Sequence, residues 1–265
     1  MRSPLEAPMK KNGKIIAVAN QKGGVGKTTS SVNLAAALST KRKKILLVDS
    51  DPQGNATSAV GLNIRNTKYH LYHAFSGNCS VSDILFETGI SNLKILPTSI
   101  DLVATEIELI SAENRECFLL NILDPIRSLF YYIFIDCPPS LGFLTINALT
   151  AADSVLIPMQ CEYFALEGLA QLVNTIRSVK KSFNKTLFIE GLLLTMYDKR
   201  NRLTFQVADE INKHFEKQVF KTVIPRNVRL SECPSHGKTI IEYDPLSSGG
   251  KAYNELANEF LKQQG

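Results

Sequence analysis

Along this chain, short runs of apolar residues alternate with segments whose apolar residues recur every three or four positions. The short runs predict buried strands, and the helical spacing predicts helices that cover both faces of a parallel sheet. Strands are predicted at 14–20, 44–49, 93–97, 131–136, 154–159, 187–197 and 219–224, and helices at 27–40, 101–130, 143–150, 166–181, 202–215 and near the C-terminus. The pattern indicates an α/β fold: a single doubly wound, mostly parallel sheet with helices on both faces. In such folds ligands bind at the carboxyl ends of the strands.

No internal repeat, low-complexity segment or Pro/Gly-rich linker divides the 265 residues. We therefore expect one domain, 14–265, preceded by a basic and flexible extension, 1–13. No apolar run reaches the roughly 18 residues that a membrane-spanning helix needs, and the N-terminus does not read as a signal peptide. The five cysteines stand at irregular spacings without a CxxC pair, which predicts free thiols and a cytoplasmic location.

The net charge of +5 is spread unevenly along the chain. Residues 1–50 carry ten Lys or Arg against two Asp or Glu, and residues 176–251 carry fourteen against eight. Residues 51–175 reverse the balance, with five basic and thirteen acidic residues. A chain polarised in this way presents either a basic face to a polyanion or an ordinary solvated surface, and charge counting leaves both open.

A glycine-rich segment joins the first predicted strand to the first predicted helix: Gln21, Lys22, Gly23, Gly24, Val25, Gly26, Lys27, Thr28 and Thr29. The glycines allow a tight turn whose backbone N–H groups point at phosphate oxygens, and the helix N-terminus adds partial positive charge. Lys27 is expected to reach the β- and γ-phosphates of ATP, and the Thr28 hydroxyl to bind Mg²⁺. The usual phosphate-loop pattern has glycine where this chain has Gln21, and Lys22 is an additional lysine.

Carboxylates stand at the ends of two later strands. Asp49 and Asp51 can position an attacking water and help to hold Mg²⁺, although taken alone they also fit a simple strand-to-loop cap. Asp136 ends another apolar run and is the expected second carboxylate for Mg²⁺, acting through the water shell that this ion retains. The phosphate loop upstream favours the metal and water roles.

The segments KGGVGKT and VDSDPQGNAT resemble those of the deviant Walker-type P-loop NTPases, the family that includes ParA/Soj partition ATPases, MinD and the nitrogenase iron protein. The resemblance spans roughly Lys14 to Leu261. It implies that ATP and Mg²⁺ are the cofactors and that Lys22 reaches across a homodimer interface to the partner's nucleotide. It also implies that Asp51 positions the attacking water while Asp49 supports the site. Slow ATP hydrolysis, accelerated by DNA and by a ParB-like centromere-binding protein, is the expected activity.

Two later segments, TMYDKRN and TVIPRNVRLSE, resemble the chromosomal Soj-type members of the family. The resemblance places Met196 and Pro225 against adenine and Asn227 in the nucleotide site. Arg200 and Arg229 match arginines that bind double-stranded DNA without sequence preference, and the guanidinium group suits phosphate oxygens. Further basic residues lie nearby in sequence and could extend the patch: Lys199, Arg202, Arg226 and Lys238. A bacterial, nucleoid-associated protein is the expectation.

Three functions compete. A partition ATPase segregates a chromosome or a plasmid, and the thirteen residues before Lys14 favour the short, Soj-like form over the longer plasmid type. A MinD-like ATPase regulating division would dock on membranes through a basic C-terminal amphipathic helix. Here Glu255 and Glu259 interrupt the basic face, so we expect this helix to pack on the domain and expect no membrane partner. A nucleotide-binding scaffold is disfavoured because every lysine and carboxylate that hydrolysis needs is present.

Overall fold

The computed structural model describes residues 13–162 and 165–264, and within them seven strands form one sheet. The strands are β1 Lys14–Val18, β2 Ile45–Asp49, β3 Phe86–Glu87, β4 Leu93–Leu96, β5 Tyr132–Asp136, β6 Ser154–Gln160 and β7 Phe188–Thr195. Their order across the sheet is β3-β4-β2-β5-β1-β6-β7, and each neighbouring pair is parallel except β3 with β4. The predicted fold class is confirmed. The predicted extension, 1–13, lies outside the described residues apart from Gly13.

Helices cover both faces of the sheet. The α-helices are α1 Lys27–Ser39, α2 Asn55–Ala59, α3 Leu71–Phe75, α4 Ala104–Glu108, α5 Phe118–Leu123, α6 Phe143–Ala151, α7 Ala165–Ser182, α8 Arg202–Phe215, α9 Val228–Glu232, α10 Ile240–Tyr243 and α11 Ser248–Gln263. Short 3₁₀ turns span Ile64–Asn66, Val81–Ile84, Ile100–Val103, Arg115–Cys117, Asp124–Leu129, Glu216–Gln218 and Cys233–His236. One apolar core lies between the sheet and α1 and α11, and the other between the sheet and α5 to α8. This two-sided burial explains why the strands are apolar on both faces.

The C-terminal helix packs on the domain as its sequence predicts. Tyr253, Leu256 and Phe260 of α11 are buried against the sheet, where the ring of Phe260 meets the ring of Tyr132 edge-on at 5.1 Å between centroids. In the described part of the chain, no helix combines the length and the apolar character needed to cross a membrane.

Two predicted elements are wrong. The run 219–224 is not a strand, because the N–H groups of Lys221 and Thr222 donate to the Glu259 carboxylate of α11, at 2.7 and 2.9 Å, rather than to β7. Isolated bridges at Val219 and Pro225, and the N–H of Ile224 donating to the Leu194 carbonyl, join this segment to β7 and Tyr197 without a continuous ladder. The run 101–130 is not one helix either. It is broken into short turns, one break falling at Asn114, whose φ of +53° leaves the right-handed helical region.

The register of the central strands brings the predicted motifs together. Asp49 at the end of β2 pairs with Asp136 at the end of β5, and Asp136 pairs in turn with Val18 of β1. The phosphate loop, which follows β1, therefore opens at the same edge of the sheet as both carboxylate-bearing segments. Parallel strands place all three at their carboxyl ends, where doubly wound sheets bind ligands.

Candidate functional site

The segment between β1 and α1 forms a tight loop that its glycines make possible. Gly24 and Gly26 have φ values of +75° and +85°, in the left-handed region that residues with side chains rarely adopt. Val25 lies between them and is anchored, because the Thr195 hydroxyl at the end of β7 donates to its carbonyl at 2.7 Å. Asn20 holds the start of the loop by accepting the N–H of Lys22 at 3.0 Å. Hydrogen bonds therefore hold the loop at its start and at Val25.

Both lysines of the loop have polar partners. Lys27, the first residue of α1, is buried, and its ammonium donates to the carbonyl of Lys22 at 3.1 Å. Burial lowers the pKa of Lys27, and the nearby charges of Asp136 and Asp51 oppose that shift. Lys22 is half exposed and forms an ion pair with Glu162, a residue that no motif in the sequence singles out.

Asp136 is fully buried at the end of β5 beside α1. Its Oδ1 accepts the Ser31 hydroxyl at 2.7 Å, one turn into α1, whereas its Oδ2 has no hydrogen-bond partner among the described residues. Burial raises the pKa of Asp136 to about 6, and the nearby hydroxyl groups of Ser31 and Thr28 oppose the shift. A buried carboxylate oxygen left unpaired beside the Thr28 hydroxyl fits a hydrated cation, whose waters would supply the missing donors.

Asp49 holds the loop that follows β2. Its Oδ2 accepts both the N–H and the hydroxyl of Thr57, at 2.7 and 2.6 Å, and its Oδ1 accepts the N–H of Asp51 at 3.3 Å. Thr57 is held in turn by the N–H of Thr98, which donates to its hydroxyl oxygen at 3.2 Å. Burial, with the neighbouring Asp136 charge, raises the pKa of Asp49 to about 8. These contacts make Asp49 a support for the loop, and its predicted metal contact stays a prediction.

Asp51 lies within electrostatic reach of the other site residues. It is 7% exposed, and its charge contributes to the pKa shifts of Lys27, Asp49 and Asp136. Its Oδ1 accepts the N–H of Gln53 at 3.1 Å. Across the described ranges no three His, Cys, Asp or Glu side chains are grouped to hold a metal by themselves. Mg²⁺ is usually held by one or two carboxylates, waters and substrate phosphates.

A cavity of about 320 Å³ opens next to the phosphate loop. Gly26 and Thr29 form one wall, and the three residues predicted for the base, Met196, Pro225 and Asn227, form part of another. Asn227 also caps α9, since its Oδ1 accepts the N–H of Leu230, and its amide donates to the Ser248 hydroxyl at 2.6 Å. The structure thus joins the phosphate loop and the predicted base contacts in a single cavity.

The two arginines predicted to bind DNA lie on adjoining segments. A bridge between Tyr197 and Pro225 connects these segments just before each arginine. Arg200 is 89% exposed and pairs with Asp198 at 3.0 Å, and Arg229 is 54% exposed and pairs with Glu232 at 2.9 Å. Lys199, Arg202 and Arg226 are exposed as well. The basic groups share one region of the surface, but each of the two arginines already has an acidic partner.

Known proteins resemble this chain over most of its length. A model of the AAA domain family matches residues 13–189. The chain is 56% identical to the sporulation initiation inhibitor protein Soj of Bacillus subtilis over 247 residues, covering 93% of this chain and 98% of that protein. It is 51% identical to the chromosome partitioning protein ParA of Myxococcus xanthus over 251 residues, covering 95% and 89%. Among solved structures, a Mycobacterium smegmatis cobyrinic acid a,c-diamide synthase with bound ADP and magnesium superposes with a TM-score of 0.84, at 35% identity and 95% coverage of both chains.

Proposed function

The chain belongs to the Soj/ParA family of chromosome-partitioning ATPases, and we propose that it binds ATP with Mg²⁺ on its phosphate loop and uses hydrolysis as a switch in segregating a chromosome or a plasmid. The observation that carries the proposal is the set of residues found at one edge of the sheet. There the buried Lys27 and the unpaired oxygen of Asp136 lie near the phosphate loop, and Gly26 and Thr29 of that loop and of α1 line the cavity. Lys27 suits the phosphates of a nucleotide, the Asp136 oxygen suits its hydrated metal ion, and the cavity suits its base.

The site residues divide the chemistry among them. Backbone N–H groups of 23–29 cradle the phosphates, and Lys27 neutralises charge on the β- and γ-phosphates. The Thr28 hydroxyl and, through water, Asp136 would hold Mg²⁺, which would supply further charge neutralisation. Asp51 orients the attacking water, and Asp49 keeps the Asp51 loop in place through Thr57. Together these groups position the reactants and stabilise charge in the transition state.

The switch between the nucleotide states acts through dimer formation. We infer that ATP joins two copies of the chain, with Lys22 of each copy leaving Glu162 to reach the nucleotide of the other. The dimer then aligns the basic region around Arg200 and Arg229 to bind double-stranded DNA through its phosphates. A ParB-like centromere-binding protein and DNA accelerate the slow hydrolysis that separates the copies. The protein acts in the bacterial cytoplasm on the nucleoid.

Two other functions have weaker support. The likeness to the cobyrinic acid a,c-diamide synthase, at 35% identity, is lower than the 56% identity to the Soj protein. The MinD-like alternative needs a C-terminal helix free to lie on a membrane. Helix α11 instead buries Leu256 and Phe260 in the core of the domain.

Hydrolysis of ATP by the purified chain tests the proposal. Phosphate release is measured with Mg²⁺, with and without double-stranded DNA, for the wild type and for Lys27→Ala and Asp51→Ala. We expect Lys27→Ala to lose nucleotide binding and Asp51→Ala to retain binding but lose turnover. Lys262→Ala, which alters one exposed basic residue of α11 outside the predicted DNA patch, is the control and should keep the basal rate. Equal turnover by the wild type and Asp51→Ala would overturn the proposed role of Asp51.

A further inference from the structure

Four basic residues stand in succession between α1 and β2. This basic run consists of Lys41, Arg42, Lys43 and Lys44. Its second and fourth residues are exposed, and the other two are half-buried. The N–H of Arg42 donates to the Ser39 carbonyl at 3.0 Å, and the Lys44 carbonyl accepts the N–H of Tyr131 at 2.8 Å. The backbone of the run is therefore held to α1 and to the segment that enters β5.

The basic run accounts for most of the positive charge in the first part of the described chain. Residues 13–50 hold seven Lys or Arg. Lys22 and Lys27 belong to the phosphate loop, and Lys14 pairs with Glu190 at 2.6 Å. The remaining four are the basic run. The uneven charge of the sequence is thus concentrated here in one place that the nucleotide site does not use.

Other basic residues at this end of the sheet have acidic partners. Lys94 of β4 pairs with Glu87, and Arg127, which precedes β5, pairs with Asp153, each at 2.6 Å. Within residues 13–162 and 165–264, no member of the basic run forms an ion pair. One basic residue beyond a helix end complements the helix dipole, but four in succession repel one another. The run therefore carries positive charge that an anionic partner would neutralise.

The basic run lies at the end of the sheet opposite the nucleotide site. It directly precedes β2, whose other end carries Asp49. Because β2 has five residues, its two ends are about 16 Å apart. Arg200 follows the carboxyl end of β7, and a bridge between Tyr197 and Pro225 joins its segment to the one that carries Arg229. The run is therefore a surface separate from the basic region around these two arginines.

We propose that the basic run is a second contact surface for the phosphates of double-stranded DNA, and that it binds DNA whether or not a nucleotide is present. The inference rests on the proposed function in one respect, since that function makes DNA the polyanion that this chain meets. Lys and Arg side chains contact phosphate oxygens without reading the base sequence. The backbone of the run is already held in place, so binding costs little further ordering. Its distance from the phosphate loop separates this contact from the nucleotide state.

An anionic membrane is the competing partner for a basic surface. Segments that lie on membranes combine basic residues with apolar side chains that insert beside the lipid head groups. The basic run contains no apolar residue, and residues 45–48, which follow it, are fully buried in β2. The composition of the run therefore favours DNA over a lipid surface.

DNA binding without nucleotide tests the inference. Fluorescence anisotropy of labelled double-stranded DNA of random sequence is measured from about 50 to 200 mM salt. All variants share an Arg229→Glu background, which weakens the other basic region. The test variant adds Arg42→Gln and Lys44→Gln, and the matched control adds Arg65→Gln and Lys68→Gln, which replace one exposed Arg and one exposed Lys before α3. A further variant, Arg42→Lys with Lys44→Arg, keeps the charge of the run, and circular dichroism verifies that each variant folds.

We expect the control and the charge-preserving variant to bind DNA as tightly as the background. The test variant should bind about tenfold more weakly at the lowest salt concentration. The slope of log affinity against log salt should become shallower by about 2, one unit for each lost phosphate contact. Equal affinity of the test variant and the background, an equal loss in the control, or no measurable binding by the background overturns the inference.

Two further measurements separate this inference from its alternatives. If the test variant loses binding to phosphatidylglycerol vesicles while its DNA binding stays unchanged, the partner is an anionic lipid and the inference is wrong. In chains that keep Arg229, Arg42→Gln with Lys44→Gln should lower DNA affinity equally with and without ATP, which leaves the gain from ATP intact. A wild type without any gain from ATP would count against the proposed function and not against the basic run.

Discussion

Replacing Thr57 by Val probes how the loop after β2 is held. Valine keeps the shape of the side chain and the backbone N–H that donates to Asp49, but it removes the hydroxyl. That hydroxyl makes two contacts: it donates to Asp49 Oδ2 at 2.6 Å and accepts the N–H of Thr98 at 3.2 Å. Thr57 and Asp49 are buried, so water cannot replace either contact. The substitution therefore deletes one hydrogen bond and leaves one buried donor unpaired.

The expected cost follows from these two losses. A hydrogen bond to a carboxyl group contributes about 1–3 kcal/mol, depending on its charge, and a buried unpaired N–H costs about 1–3 kcal/mol. We expect Thr57→Val to lower the free energy of unfolding by about 3 kcal/mol, which corresponds to a fall in Tm of about 6–12 °C for a chain of this size. Because Asp49 also holds the N–H of Asp51, turnover should fall about tenfold while ATP affinity changes little.

Thr57→Ser is the matched control, since serine restores the hydroxyl and loses only a methyl group worth about 1 kcal/mol. Urea unfolding measures the free energy of unfolding. Single-turnover hydrolysis measures the rate of the chemical step, and a separate titration measures nucleotide affinity. Rescue of both stability and turnover by Ser, but not by Val, is the predicted outcome. If Val and Ser hydrolyse ATP equally fast, the contact between Thr57 and Asp49 does not position Asp51.

Two further predictions concern stability. Burial lowers the pKa of His70, so the unfolded chain binds a proton before the folded chain does, and stability should fall as pH drops below about 6.5. Melting curves at pH 7.5 and 5.5 should show a smaller fall in Tm for His70→Gln than for the wild type. An equal fall in Tm would contradict this role of His70. Gly191→Ala should lower the free energy of unfolding by about 1–3 kcal/mol, since its Cβ would lie 2.4 Å from the Phe220 ring. Adding Phe220→Leu should recover part of that loss in urea unfolding. No recovery would assign the cost to another contact.

Local patterns in the sequence were sufficient to locate much of the site. The strand, glycine loop and helix from Lys14 to Ser39 follow from an apolar run, glycines and helical spacing that are contiguous in the chain. Helix α8 begins and ends where its spacing predicts, at Arg202 and Phe215. Because parallel strands end at a common edge, Asp49 and Asp136 could also be expected to lie side by side, and they do.

Contacts between distant segments could not be predicted in this way. Glu162 pairs with Lys22 across 140 residues, and Thr98 holds Thr57 across 41, and neither pair leaves a periodic signal in the sequence. The predicted strand at 219–224 fails for the same reason, because a carboxylate on α11 takes the N–H groups that a strand would use. Thr57 is the last residue of the segment VDSDPQGNAT, so its place in that segment is the signal that could have identified it.

The most direct test of the account is DNA binding that depends on the nucleotide state. Retention of double-stranded DNA of random sequence is measured for Asp51→Ala, which should bind ATP without hydrolysing it, with ATP, with ADP and without nucleotide. We predict that ATP raises DNA affinity about tenfold or more, and that Arg229→Glu in the same background removes the gain. DNA affinity that is the same with ATP, with ADP and without nucleotide would contradict the central claim that this chain is an ATP-controlled switch acting on DNA.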